Sequence, residues 1–246
     1  MARVVNVDVG IIGGTGVGER LKSLGGKTLH VPTSCGLLSG RLLVLNGLRL
    51  LLISRHSAGH KTPPHAVNYA AMAEGLRLLG AKRCLSTAAV GGLRAEFAPG
   101  SICVCADFID LTSRNLTLFE SKVQHTDFSK PLGAAARDAL LAAYSNAGLG
   151  VPRRAIYVCT NGPRYETPFE VQTYAEMGGD VVGMTAASEA ITMKEAGIDY
   201  ACLAIVTNLA AGVSATPLSH EEVVEQMEKS GETAVNILLD AARGLA

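Results

Sequence analysis

Short runs of Val, Ile, Leu and Ala alternate along this chain with stretches whose apolar residues recur at helical spacing, and this alternation limits the possible folds more than any other feature. The strand-like runs lie at 4–12, 48–55, 83–89, 101–109, 155–159, 181–184 and 200–207. Many end in Gly, Asn, Thr or Arg, as buried strands of an open sheet do. Helical spacing is found over 67–79, 134–147, 168–177 and 187–196. Two helix starts are marked by capping-box patterns: Thr167-Pro168-Phe169-Glu170 and Ser219-His220-Glu221-Glu222. After the second, Val223, Val224, Met227, Ala234, Val235, Leu238 and Leu239 share one face, which predicts a helix to near the end of the sequence with a break at Gly231. There is no internal repeat, low-complexity tract or linker. The pattern predicts an α/β fold, one domain over residues 1–246 with a mixed, largely parallel central sheet flanked by helices.

Composition supports buried strands. Hydrophobic residues make up 48% of the 246, but aromatics only 4%, and Trp is absent. A core of Val, Leu, Ile, Ala and Gly suits parallel strands closely covered by helices. A chain of this size buries enough surface to need neither disulfides nor a structural metal. Lys plus Arg equal Asp plus Glu at 22 each, so no charge excess recommends a nucleic-acid or membrane partner. Cys35, Cys84, Cys103, Cys105, Cys159 and Cys202 form no CxxC pair, and most sit in apolar runs. They read as small buried hydrophobes in a reducing compartment, and no metal-site spacing accompanies them. With no membrane-length apolar stretch and no signal-peptide pattern, the expected location is the cytoplasm.

The polar and glycine-rich features collect at the ends of the predicted strands: Gly13-Gly14-Thr15-Gly16, Arg55-His56, Gly91-Gly92, Asn161-Gly162-Pro163-Arg164, Met184-Thr185 and Asn208. Open α/β sheets bind ligands beyond the carboxyl ends of their strands, so this distribution points to a small-molecule site without naming the ligand. The glycine loop could cradle an anion through its N–H groups and the Thr15 hydroxyl, or could simply be a tight turn. It is neither a dinucleotide fingerprint nor a P-loop, since Glu19 stands where a third glycine belongs and no Gly-Lys-Ser/Thr follows. Arg55-His56 is more specific: arginine suits bidentate phosphate binding, and the adjacent histidine adds a donor. A solvated surface pair is the alternative.

Taken together, these segments resemble the trimeric purine nucleoside phosphorylase and methylthioadenosine phosphorylase family. The matching stretches are GIIGGTG at 10–16, RHSAGH at 55–60, PPHAVNY at 63–69, AAVGGLRAEFAPG at 88–100, DFIDLT at 107–112, NGPRYET at 161–167, VVGMT at 181–185 and VTN at 206–208. They follow the family's order and span nearly the whole chain. The resemblance implies purine salvage: a nucleoside is split by inorganic phosphate into free base and ribose 1-phosphate, with no metal and no organic cofactor. It assigns phosphate to Thr15, Arg55, His56 and Thr185, beside the backbone of Ala88 and Ala89. Some relatives have a hydroxyl residue at the position of Ala88. It puts Met184 under the ribose and Tyr165 on the base. It also implies a homotrimer or a dimer of trimers in which a loop at 123–130, with His125, reaches the neighbouring pocket. Ser188 departs from the pattern by replacing a proline, a change expected to alter the local helix start rather than the chemistry. Cleavage of this kind passes through an oxocarbenium-like centre, so positioning and preorganised charge do the work rather than a protein nucleophile.

Base choice falls to Glu166 and to Asn208-Leu209-Ala210. Relatives specific for methylthioadenosine carry aspartates after the last central strand, and an asparagine there can donate to purine N7 or O6. Ionised Glu166 only accepts, which suits the N1–H of hypoxanthine or guanine and opposes the N1 lone pair of adenine. A helix-start charge is the bland reading of Glu166. Asn208, His56 and Glu166 are thus the expected catalytic residues. His220 is expected to bond the ribose 5′-hydroxyl, where methylthio-specific relatives have an apolar residue. The competing enzyme is a methylthioinosine or methylthioadenosine phosphorylase. A nucleoside-binding module without turnover would not need the phosphate residues, and a nucleotide-dependent oxidoreductase would need the missing fingerprint.

Overall fold

Asp8 sets the register in which the sheet begins. Its N–H donates to the Arg49 carbonyl at 2.8 Å, and its carboxylate accepts from the Arg49 N–H and guanidinium at 2.6–3.1 Å. The first strand therefore starts at Val9, later than the predicted 4–12. A computed structural model describes residues 5–56, 61–214 and 219–245, with the backbone but not the side chain of His220. Within these residues the order is β1 (Val9–Gly13), α1 (Val17–Ser23), β2 (Lys27–Thr33), β3 (Gly36–Leu45), β4 (Leu48–Ser54), α2 (Tyr69–Leu78), β5 (Arg83–Gly92), β6 (Ile102–Asp110), α3 (Ala134–Asn146), β7 (Arg153–Cys159), α4 (Pro168–Glu176), β8 (Val181–Gly183), α5 (Ala186–Glu195), β9 (Asp199–Leu209) and α6 (His220–Arg243).

The strands lie in the order β2-β3-β4-β1-β5-β8-β7-β6-β9, and β9 returns to pair with β5. Strands β5, β8, β7, β6 and β9 therefore close a ring, with β1 and the β2–β4 meander attached to one side. The pairings β1–β4, β1–β5, β5–β9, β6–β7 and β7–β8 are parallel; β2–β3, β3–β4, β5–β8 and β6–β9 are antiparallel. The expected mixed sheet with a parallel centre is thus observed. Helices α1, α3 and α6 cover one face through Leu21, Leu140 and Leu238, while α2 and α5 cover the other through Leu76 and Met193. Burying five such side chains is worth about 1.5–3 kcal/mol each before chain entropy is counted. No helix among the described residues is long and apolar enough to cross a membrane. All six cysteines are free, five of them buried and Cys35 half-buried.

Two local expectations change. Helix α6 passes Gly231 unbroken. The glycine serves a close approach: a Cβ there would lie 2.5 Å from Arg20 Nε, whose guanidinium donates to the Glu228 carbonyl one turn earlier. The predicted helix at 67–79 starts instead at Tyr69, because the Asn68 side chain accepts from the Ala71 N–H at 2.9 Å and fixes the boundary. The boxed start at Thr167 is present with both reciprocal bonds, and Ser219 caps α6 by accepting from the Glu222 N–H at 3.2 Å.

Candidate active site

A cleft of about 530 Å³ opens beyond the ends of β1, β4, β5 and β9. Its wall includes Thr15, Arg55, His56, Ala89, Tyr165, Glu166, Met184, Thr185, Asn208 and Ala210, so ten of the expected site residues converge there. Lys61, Val90, Thr207 and Val223 line it too and were not singled out in the sequence. Lys61 directly follows the RHSAGH stretch, and that adjacency was the signal for it.

The turn after β4 brings Arg55 under the glycine loop. Its N–H donates to the Gly13 carbonyl at 3.1 Å. Gly14 is required here, since a Cβ would fall 2.5 Å from Arg55 Nη1. The guanidinium, however, does not present its fork to the cleft. Nε donates to Glu189 Oε1 at 2.5 Å, Nη2 to Glu189 Oε2 at 2.9 Å, and Nη1 to the Thr87 carbonyl at 2.8 Å. Three of the five N–H groups of Arg55 are thus held by protein acceptors, so its Nε–Nη2 fork is taken by Glu189, and one N–H on each of Nη1 and Nη2 remains for a ligand. Burial opposes the charged guanidinium, but Glu189, through its charge and hydrogen bonds, raises Arg55 above the usual arginine value. Glu189 also accepts from the Tyr200 hydroxyl at 2.7 Å, and that hydroxyl lies 2.7 Å from Ser86 Oγ. The helical pattern of 187–196 gave no hint that one of its glutamates pairs with Arg55.

The glycine loop contributes less than a full anion cradle. The Gly14 N–H donates to Thr87 Oγ1 at 3.1 Å, and the Gly14 carbonyl accepts from Val17 and Gly18, which leaves Thr15 as the loop residue in the cleft wall. His56 Nδ1 lies 2.9 Å from the Thr62 carbonyl. A carbonyl can only accept, so Nδ1 carries the proton and Nε2 donates only from the doubly protonated ring. Thr185 caps α5, and its N–H is steadied by the Tyr157 hydroxyl at 3.3 Å.

At the end of β9 an irregularity re-aims the chain. Val90 pairs with Val206 but Gly91 with Asn208, which skips Thr207. The bulge turns both Thr207 and Asn208 to the cleft. Strict alternation then resumes: Leu209 faces away, toward a smaller cavity beside α6, and Ala210 faces the cleft. Leu209 is therefore corrected as a cleft residue; the Ala88 side chain is buried in the core while Ala89 lines the wall, so Ala88 could meet a ligand only through its backbone, as expected. Asn208 Oδ1 accepts from Thr207 Oγ1 at 2.9 Å, and its Nδ2 donates to the Leu209 carbonyl at 3.1 Å. The second N–H of that amide is left for a ligand.

Glu166 precedes the Thr167 cap of α4 and is buried in the cleft wall. Burial raises its carboxyl above the usual glutamate range, against the pull of the Thr160 hydroxyl that donates at 2.8 Å. Its neighbour Tyr165 is 37% exposed, free to cover a flat ligand. His125 is exposed and outside the cleft of its own chain. The side chain of His220 lies outside the described residues. Among the described residues, no three His, Cys, Asp or Glu side chains converge as a metal site requires.

The Phosphorylase superfamily model matches residues 8–243. The 6-oxopurine nucleoside phosphorylase of Pyrococcus furiosus is 39% identical over 242 residues, 95% of this chain and 91% of that protein. A probable S-methyl-5′-thioinosine phosphorylase of Methanopyrus kandleri is 38% identical, with 94% of this chain and 90% of that protein covered. Methylthioadenosine phosphorylase from Schistosoma mansoni, solved with adenine, superposes with a TM-score of 0.90 at 31% identity over 97% of this chain and 91% of that one. This chain belongs to the phosphorylase superfamily.

Proposed function

We propose that this chain phosphorolyses 6-oxopurine nucleosides such as inosine and guanosine, releasing the base and ribose 1-phosphate. The observation that carries the reading is Glu166: a buried, acceptor-only carboxylate in the same cleft wall as the Asn208 amide, complementary to a purine with N1–H and O6. Thr15, Arg55, Lys61 and Thr185 supply donors for phosphate, joined by His56 Nε2 when its ring carries both protons, and Met184 offers an apolar support to the sugar between. As the C1′–N9 bond breaks and a phosphate oxygen bonds C1′, negative charge grows on the purine. The remaining Asn208 N–H stabilises it at N7 or O6, and the base takes up a proton as it departs. Inorganic phosphate is the co-substrate, and no metal or organic cofactor takes part, so the rate should be indifferent to EDTA. A homotrimer, with His125 of each chain serving a neighbour's cleft, belongs to the same proposal and is tested by light scattering. Release of hypoxanthine from inosine that depends on added phosphate supports the reaction. Hydrolysis without phosphate, or binding without turnover, overturns it.

A second reading has one observation in its favour. Val223, in the first turn of α6, lines the cleft and would suit a 5′-methylthio group better than a hydroxyl. Comparing inosine with 5′-methylthioinosine decides between the two.

A further inference from the structure

The geometry points to Arg114 as a positioning residue that holds three walls of the cleft in register, an inference that rests on the phosphorolysis reading above. Arg114 follows β6 and is not itself in the cleft wall. Its Nη1 donates to the Met184 carbonyl at 2.9 Å and to Ser188 Oγ at 2.8 Å, and it lies 3.3 Å from the Tyr69 hydroxyl. Its Nη2 donates to the Asn161 carbonyl at 2.9 Å. The guanidinium also rests 5.4 Å from the centre of the Tyr69 ring, and the Tyr69 hydroxyl donates to the Pro64 carbonyl at 2.7 Å.

Each of these acceptors leads to the cleft. Met184 lines it directly. Asn161 opens the loop that carries Pro163, Tyr165 and Glu166, and Pro64 lines the opposite side. Ser188 lies on α5 next to Glu189, the partner of Arg55. One planar cation thus fixes the sugar support, the base loop and the Pro64 wall relative to one another. Its partners in this hub are neutral oxygens, which the guanidinium reaches from two separate nitrogens and an ammonium would have to reach from one. Ser188, the residue that departs from the family's proline, supplies one of these oxygens. Its effect therefore extends beyond the helix start.

Thr15 and His56 are carried by β1 and β4, away from this hub, and the Thr185 N–H has its own support in Tyr157. Arg55 and Thr185 border the hub through Glu189 and Met184 but keep their own hydrogen bonds to Thr87 and Tyr157, so Arg114 should act mainly on the nucleoside. In Arg114→Ala the KM for inosine should rise about tenfold or more and kcat should fall, because misplaced walls lose the productive pose. The KM for phosphate should stay within about twofold. Millimolar guanidinium should restore part of the activity of Arg114→Ala, and ammonium should not. Arg114→Lys should keep the charge and still show the inosine defect, and it supplies the readout if the alanine variant does not fold. An unchanged KM for inosine, an equal rise for both substrates, or failure of both variants to fold would overturn the positioning role. The wild type is assayed first. If it releases no hypoxanthine, the reaction reading fails, and the role of Arg114 is then judged by equilibrium binding of hypoxanthine to wild type and variants.

Discussion

Replacing Glu189 with glutamine changes almost no volume but removes the counter-charge of a guanidinium that is itself sealed from water. The two side chains are 1% and 0% exposed, and both carboxylate oxygens face Arg55 at 2.5 and 2.9 Å. In the variant, the amide nitrogen faces an Arg55 N–H whichever way it is turned, so a bond is lost as well as a charge. Breaking one side of a buried pair costs about 3–5 kcal/mol, against roughly 0–1 kcal/mol for an exposed one. At about 2–4 °C per kcal/mol for a chain of this length, Tm should fall by roughly 6–20 °C. Differential scanning calorimetry checks this directly. The double variant Arg55→Met with Glu189→Leu should recover much of the lost stability, since an apolar pair of similar volume tolerates the site better than an orphaned charge. It should not recover phosphate binding. A Glu189→Gln protein melting within about 2 °C of wild type would refute the claim that this pair is a desolvated ionic contact.

Base selectivity should depend on pH through Glu166. Its carboxyl is raised by burial, so the ionised fraction grows with pH across a window above the usual glutamate range, and the inosine-to-adenosine ratio of kcat/KM should climb through that window. At neutral pH the ratio should approach about 10⁴, as in sites built around one substrate hydrogen bond; equal turnover of the two nucleosides would refute the assignment. Asn208→Asp should lower kcat for inosine by about tenfold to a hundredfold and narrow the preference, because a carboxylate opposes the charge growing at N7 and O6. His220→Leu should shift preference toward 5′-methylthioinosine by the worth of one hydrogen bond, about 1–3 kcal/mol, with base selectivity unchanged. A wild type that already favours the methylthio substrate would show that Val223 governs that end.

Runs of buried, branched residues were readable because their surroundings are uniform: β1 is wholly buried and reads VGIIG. The β2–β3 hairpin was not, since its strands are only partly buried and mix Lys27, Thr28, His30 and Pro32 with apolar residues. Helix α1 has seven residues, too few to show a period. In the site, motifs located ten cleft residues but could not reveal what each side chain already touches. Arg55 looked available because its partner lies 134 positions away on α5. Leu209 was adjacent to the right residue but on the wrong side of the pleat, and a bulge at Thr207 determines which side is which. The role of Arg114 is not legible in the sequence, because two of its acceptors are backbone carbonyls and its side-chain partners, Tyr69 and Ser188, are distant along the chain.

Two buried glutamates show how surroundings divide one chemistry into two roles. Glu189 accepts from Arg55 twice and from Tyr200 once, so most of its lone pairs are occupied by the protein. Glu166 has Thr160 as its one side-chain donor, takes a further hydrogen bond from backbone N–H, and lines the cleft with acceptor capacity left over. Desolvation without a matching cation is what raises its carboxyl, and a ligand N–H is what the site lacks to favour the ionised form. If Glu166 meets the base as proposed, hypoxanthine and guanine bring that N–H at N1, and their binding should lower the carboxyl again and release a proton wherever Glu166 is part-protonated. Adenine brings a lone pair and is accepted only by the protonated acid, so its binding takes a proton up. On the proposed reading, the opposite signs of proton linkage set how discrimination between the two purines changes with pH, and both trace to the burial of the Glu166 carboxylate.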